Sequence, residues 1–566
     1  MRLATIRSAL LSSLFASQTL AKLIPVATDG DGGDTGSKFV KLSFDKLYGD
    51  SLDTAGRDKK PEVRLSKRAD GYEEIIITNQ QSFYSVDLEV GTPAQNITVL
   101  VDTGSSDLWI MGSSNPYCSS DDSSKYVLRK RDTSSSSGDL VNDINPFGWL
   151  TETGSVTGAT ATATGSGTAT QSVPASEATM DCEEYGTFTS SDSSTFKSNN
   201  TAFEISYGDG TFAAGTFGTD VLNLSDLNVT GLSFAVANET NSTMGVLGIG
   251  LPSLEVTYSG SSASNGGKSY KYDNFPIVLK NSGAIKSNAY SLYLNDSDAK
   301  HGTILFGGVD HNKYSGTLYT VALVNTLSGF TSPIQFDITL NGLGIIDDNG
   351  DEKTLTTTKI PVLLDSGTTL TYLPVEMVEL IAENVGAQYS SRIGYYVMEC
   401  PSSDNSTEIV FDFGGFHINA SLSSFILSTS GNTCLLGIIP TSDSTGSILG
   451  DSFLTNAYVV YDLENLEISM AQAKYNVTSE DIEVISTSVP NAVKAPGYTN
   501  TWSTTASIAT GGNIFTVDSS STASYSGNVT SSTASATSTT SSKKNGGDRI
   551  VPSLPFTLIS LLFAFI

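Results

Sequence analysis

The sequence predicts an all-β protein of two related lobes with a cleft between them. Three observations lead there. The run Val99–Ile110 carries Asp-Thr-Gly at Asp102–Gly104, and Val362–Leu373 carries Asp-Ser-Gly at Asp365–Gly367. Each copy has three apolar residues before its Asp and a hydroxyl residue after its Gly, the pattern of a buried strand running into a turn. Gly245–Gly250 follows the first copy at a distance and Gly446–Asp451 the second, each an apolar pair ending on glycine. Finally, 566 residues exceed what one hydrophobic core organises. Further strands read as alternating core segments at Phe411–Phe416 and Ala457–Asp462.

Composition narrows the function. The chain has 59 acidic and 31 basic residues, a net charge of −28. Phosphate binding wants a basic face, so nucleic acid is excluded as a partner. The acidity favours basic substrates, or reflects secretion into acid surroundings. No Cys-x-x-Cys and no His-Glu-x-x-His occurs, and the only histidines are His301, His311 and His417. Neither a metal nor another cofactor is expected. The four cysteines, Cys118, Cys182, Cys400 and Cys434, allow three connectivities.

Both ends carry addresses. Residues 1–21 read as a signal peptide, with Arg2 and Arg7 ahead of a short apolar run. At the other end, the apolar Ile550–Ile566 follows the small residues Asn545, Gly546 and Gly547 and a Ser/Thr-rich stretch. This is the layout of a GPI-anchor signal with Asn545 or Gly546 as attachment residue and 546–566 removed. Pro552 and Pro555 argue against a spanning helix. Residues 481–545 are expected to form an unfolded stalk. Sequons stand at Asn96, Asn199, Asn223, Asn228, Asn238, Asn241, Asn295, Asn405, Asn419, Asn476 and Asn528.

Two basic sites suggest processing. Residues 22–68 form a nearly neutral leader, with 10 basic and 8 acidic residues, ending at Lys67-Arg68. That reads as a removable pro-segment. Residues 119–181, between Cys118 and Cys182, are polar and rich in Gly, Ser and Thr, and are expected to be a disordered loop. Within it, Arg129-Lys130-Arg131 is a candidate nick.

The paired triplets resemble those of the pepsin-like aspartic proteases, over roughly Tyr72 to Tyr475. With the signal, leader, long loop and anchor tail, the chain is most similar to the fungal yapsins. The resemblance implies that Asp102 and Asp365 share one proton and activate water between them. It implies an N-terminal lobe over 69–310, a C-terminal lobe over 311–480, a boundary near Gly308, and one disulfide per lobe. A nick at Arg129–Arg131 would then leave two chains joined by Cys118–Cys182. Gly104 and Gly367 would let the turns approach, and Ser105 and Thr368 would hold the outer carboxylate oxygens. Ile205–Thr211 matches the flap, with Tyr207 and Gly208 in it and Trp109 as the partner of Tyr207. Basic groups of the pro-segment, among them Lys41, Lys46, Lys59 and Lys60, would pair with the catalytic carboxylates.

Asp209 is singled out separately. A carboxylate in the flap turn offers a counter-charge to a substrate Lys or Arg, although Asp also suits tight turns for its own sake. Yapsins are surface proteases that cleave after single or paired basic residues. The implied function is therefore a GPI-anchored endopeptidase acting on peptides and proteins with Lys/Arg sites, in precursor processing, shedding of surface proteins and cell-wall maintenance. It would reach the plasma membrane or wall by the secretory pathway and work best in acid. The competing reading is a non-catalytic wall or adhesion protein on the same scaffold. A serine hydrolase is disfavoured, since no Gly-x-Ser-x-Gly elbow occurs.

Overall fold

The computed structural model describes residues 39–49, 65–67, 73–75, 81–119, 178, 180–208, 210–224, 227–260, 269–297, 299, 301–392, 394–428, 432–441, 446–499, 501–502 and 507–515. They are overwhelmingly β-strand. Helices are few and short, chiefly Phe275–Asn281, Val375–Val385 and Asp451–Leu454. Among the described residues no helix is long and apolar enough to cross a membrane.

The repeat seen in sequence is a repeat of topology. In the first lobe Gln95–Asp102 runs antiparallel to Gln81–Val90 and parallel to Gly245–Gly248. Gly245–Gly248 then pairs antiparallel with Leu108–Met111, which runs parallel to Leu227–Thr240. In the second lobe Ile360–Leu364 runs antiparallel to Asp337–Leu340 and parallel to Ser447–Leu449. Ser447–Leu449 pairs antiparallel with Thr371–Leu373, which runs parallel to Ile438–Pro440. The glycine-ended runs thus lie beside the strands that deliver each Asp. Parallel strands buried on both faces read as unbroken apolar runs, as Val99–Val101 and Val362–Leu364 do.

The lobes are joined through one sheet. Ala289–Tyr293 and His301–Phe306 pair with each other, and Ala289–Tyr293 pairs with Ala457–Asp462 from the far end of the chain. Strands on both sides of Gly308 therefore belong to one continuous sheet. The sheet also holds Val40–Gly49, which pairs with His301–Phe306 on one edge and Gln81–Val90 on the other. Leu42 and Phe44 from this strand are buried, and the Phe44 ring meets Tyr84 edge-on at 4.9 Å. Gly302 makes room for it: a Cβ there would sit 2.1 Å from Phe44 Cζ.

This placement corrects one expectation. Lys41 and Lys46 do not reach the paired Asp residues. Lys41 Nζ pairs with Glu480, and Lys46 Nζ donates to Ser297 O at 2.8 Å. Backbone pairing on both edges fixes which way each side chain points. Lys59 and Lys60 lie outside the described residues.

A second correction concerns the expected stalk. The described residues 481–499, 501–502 and 507–515 lie folded on the body. Ile482–Val484 pairs with Gly308–Asp310, and Val493–Lys494 runs parallel to Tyr314–Ala322. Ile485, Val489, Ala495 and Ile514 are buried. Gly497 N donates to Gly414 O, Gly511 N to Leu355 O, and His417 Nε2 lies 3.0 Å from Ile514 O. These apolar residues are sparse in a Ser/Thr-rich sequence, but they meet apolar surface already formed by the second lobe.

Candidate active site

Asp102 ends the strand Gln95–Asp102, and Asp365 follows directly on Ile360–Leu364; both side chains are fully buried. Their surroundings mirror each other. Gly104 N donates to Asp102 Oδ1 at 2.7 Å and Ser105 Oγ donates to Asp102 Oδ2. Gly367 N donates to Asp365 Oδ1 at 2.9 Å and Thr368 Oγ1 to Asp365 Oδ2 at 2.6 Å. Each carboxylate is thus oriented by a turn amide and a hydroxyl three residues on.

The two turns press together. A Cβ on Gly104 would meet Asp365 Oδ1 at 2.5 Å, so only glycine permits this approach. The middle residues of the triplets, which the sequence reading passed over, lock the lobes. Thr103 Oγ1 donates to Leu364 O at 3.0 Å and accepts from Ser366 N at 2.9 Å. In return, Ser366 Oγ donates to Val101 O at 3.3 Å and accepts from Thr103 N at 3.2 Å. Each hydroxyl satisfies both a donor and an acceptor of the partner turn, which leaves these buried backbone groups paired. The signal was present: both triplets have a hydroxyl at the middle position.

Electrostatics separate the two carboxyls. Burial pushes Asp102 above its ordinary value, opposed by hydrogen bonds from Ser105 and Gly104. Burial pushes Asp365 well above its ordinary value, and the charge of Asp102 adds to the effect. Two like charges this close and this dry do not both ionise, so the pair retains one proton between them. One ionised and one protonated carboxyl side by side can take a proton from water and hydrogen-bond a carbonyl oxygen at once.

The flap is a hairpin of Lys197–Ser206 and Phe212–Leu224, with Ser206 opposite Phe212. Its turn is closed by Tyr207 N to Thr211 O at 2.8 Å and Gly210 N to Tyr207 O at 3.1 Å. Gly210 has φ +87°, a conformation glycine adopts freely. Tyr207 is buried, and Trp109 Nε1 donates to its hydroxyl at 2.6 Å. Trp109 is itself fully buried, so core packing and support of the flap tyrosine coincide. Gly208 is half-buried in the turn. Asp209 lies outside the described residues.

Of the other predicted positions, Cys118 is bonded to Cys182 and Cys400 to Cys434. Lys67 ends the short strand Leu65–Lys67, which pairs with Glu73–Ile75. Arg68, Arg129, Lys130, Arg131, Asn528, Asn545, the signal peptide and the anchor signal lie outside the described residues, as does most of 119–181. Asn96, Asn199, Asn228, Asn238 and Asn476 are exposed. Asn223, Asn241, Asn295, Asn405 and Asn419 are half-buried, and Asn419 Nδ2 is engaged by Glu408 Oε2 at 2.8 Å.

A buried acidic group near the site was not foreseen. Asp107, five residues after Asp102, accepts from Tyr272 OH at 2.6 Å and Val256 N at 2.9 Å. Glu255 accepts from Tyr272 N at 2.8 Å. Burial raises Asp107 to about 6, and burial together with the nearby Asp107 raises Glu255 to about 9.

Comparison with known proteins agrees with this geometry. The profile of the eukaryotic aspartyl proteases matches residues 83–473. The chain is 79% identical over 573 residues to aspartic proteinase 3 of Saccharomyces cerevisiae, covering 100% of both chains. It is 56% identical to aspartic proteinase MKC7 of the same yeast, over 86% of this chain and 82% of that one. It is 36% identical to secreted aspartic protease 9 of Candida albicans, over 79% of this chain and 87% of that one. The chain belongs to the eukaryotic aspartyl proteases, bilobal pepsin-like endopeptidases.

Proposed function

We propose that this endopeptidase uses Asp102 and Asp365 as its catalytic pair and cuts C-terminal to single or paired Lys/Arg residues at the cell surface. The observation that carries the catalytic assignment is the mirrored hydrogen bonding of the two buried carboxyls across a locked lobe boundary. In the first step the ionised carboxyl takes a proton from water as its oxygen bonds to the scissile carbonyl carbon. The protonated carboxyl gives its proton to the carbonyl oxygen, so a neutral tetrahedral diol forms. Collapse breaks the C–N bond, returns one hydroxyl proton to a carboxylate and delivers a proton to the leaving amine. The pair ends with the single proton it began with.

Support for basic specificity comes from the yapsin resemblance, the net charge of −28 and the carboxylate of Asp209, two residues beyond Tyr207 in the flap sequence. A cationic side chain before the cut bond would find there an opposite charge. The signal sequence, the Ser/Thr-rich tail and the apolar C-terminus with Asn545 ahead of it support a GPI-anchored protein of the plasma membrane or wall. Precursor processing, shedding of surface proteins and wall maintenance are the roles that fit.

The test is cleavage of a peptide library at pH 4 to 6 by wild type, Asp102→Asn and Asp209→Thr. Cuts after Lys or Arg that vanish in Asp102→Asn and weaken selectively in Asp209→Thr are expected. Asp102-dependent cuts between apolar residues would reject the specificity, and cuts that survive Asp102→Asn would reject the catalytic pair.

A further inference from the structure

The flap turn is held from outside its own hairpin. Phe212 is the first residue of the returning flap strand, and the ladder between that strand and Leu227–Thr240 reaches only Ala213 opposite Thr240. The next rung is made by side chains. Asn241 Oδ1 accepts from Phe212 N at 2.8 Å, and Thr240 Oγ1 donates to Phe212 O at 2.6 Å. Asn241 Nδ2 also donates to Gly210 O at 3.4 Å, inside the turn. An amide is suited to this place because it offers an acceptor and a donor together.

The strand end that presents Asn241 is fixed in turn. Asn115 is buried, its Nδ2 donates to Thr240 O at 3.0 Å, and its Oδ1 accepts from Thr240 N at 3.1 Å. Asn115 O accepts from Cys118 N at 3.2 Å, and Cys118 is bonded to Cys182. Tyr117, from the same segment, meets the Phe212 ring edge-on at 6.0 Å.

We propose that Asn241 is a positioning residue for the flap: its side-chain amide sets where the turn carrying Tyr207 sits, and Asn115 ties that setting to the disulfide-closed segment. Proteolysis needs the flap settled over a bound peptide, so loosening its base lowers the fraction of enzyme competent to bind. Asn241 also opens the sequon Asn241-Ser242-Thr243, so a glycan there would grow from the nitrogen that faces Gly210 O.

Three variants in the full chain test this. Asn241→Ala should lower kcat/KM on a quenched peptide about five- to tenfold, the loss expected for one or two hydrogen bonds. The Ki of a statine-type inhibitor should rise by the same factor, with the thermal midpoint unchanged. Asn241→Asp should approach wild type below pH ~4, where a protonated carboxyl again offers a donor and an acceptor, and should fall towards Asn241→Ala above it. Thr243→Val abolishes the sequon but keeps Asn241, and replaces a buried hydroxyl that has no hydrogen-bond partner among the described residues; it should behave as wild type. Unchanged kinetics in Asn241→Ala would overturn the proposal. So would a loss in Asn241→Ala that merely follows a lowered thermal midpoint, an Asn241→Asp profile parallel to wild type, or a Thr243→Val loss equal to that of Asn241→Ala, which would assign the effect to the sugar.

Discussion

The two lobes are alike where they hold the carboxyls and different in the segments that follow. Gly104 and Ser105 serve Asp102 as Gly367 and Thr368 serve Asp365, and Thr103 and Ser366 exchange hydrogen bonds reciprocally. Beyond the turns and the strands paired around them the likeness ends. The first lobe continues from Leu108–Met111 into the Cys118–Cys182 segment and the flap. The second continues from Thr371–Leu373 into the helix Val375–Val385, and its outer sheet is strapped by residues 507–515. Symmetry is kept where a shared proton demands two equivalent, preorganised acids. It is abandoned in the segments that follow, a hairpin and a disulfide in the first lobe and a helix in the second.

Changing either Asp should test the symmetric half of this contrast most severely. Asp102→Asn and Asp365→Asn should each lower kcat by on the order of 10³-fold or more, in line with loss of a positioned acid or base. The pH profile of wild type should be bell-shaped. Activity should fall at low pH as the pair takes up a second proton, and fall at higher pH as the pair, raised by burial, loses the one it shares. An Asn variant with near-wild-type kcat would break the comparison.

The asymmetric half is tested next by truncation. Ending the chain at 480 removes the buried Ile485, Val489, Ala495 and Ile514, and should lower stability by on the order of 4 kcal/mol, net of the entropy regained. Ending it at 515 should leave the thermal midpoint unchanged. Equal midpoints for the two truncations would mean that the tail is only an attachment.

Smaller effects are expected at the crossed hydroxyls. Thr103→Val leaves Leu364 O and Ser366 N without this partner and should cost about 1–3 kcal/mol. Ser366→Ala, whose hydrogen bonds are longer, should cost less. Chemical denaturation of both variants would rank them, and the reverse order would show that the lobes are not locked in the way described.

A further test is a pH slope specific to the first lobe. Glu255, raised to about 9, keeps its proton in the folded state where the unfolded chain has lost it. Native protein then binds more protons than unfolded protein, so stability declines as pH rises from about 4.5 towards about 9. Asp107, raised to about 6, adds to the decline at its lower end. Glu255→Gln should flatten the fall in thermal midpoint between pH 5 and pH 8. An unaltered slope would remove Glu255 from the account.

Much of the active site was legible because its signal is local. A buried strand, a glycine turn and a hydroxyl residue lie within a dozen residues, and they occur twice. The flap was legible for the same reason, since a hairpin is encoded by its alternation and its turn. For Lys41 and Lys46 the resemblance suggested a partner that the structure corrects. Edge pairing in the sheet decided instead, giving Lys41 to Glu480 and Lys46 to Ser297. The expected stalk is corrected for the described residues 481–499, 501–502 and 507–515, because Ser/Thr content describes a chain by itself, not the apolar surface it meets.

The sequence by itself determined the paired acids, the two-lobe β plan and the local hydrogen bonding of each Asp turn, since these depend on residues a few positions apart. Only the tertiary structure decided the contacts between distant segments. It brought Thr103 to Ser366, laid the leader strand Val40–Gly49 between Gln81–Val90 and His301–Phe306, and set Asn241 beneath the flap. Each of these satisfies backbone donors and acceptors that would otherwise be buried unpaired. Which distant group does so follows from where the strands finally lie, and no local pattern in the chain records it.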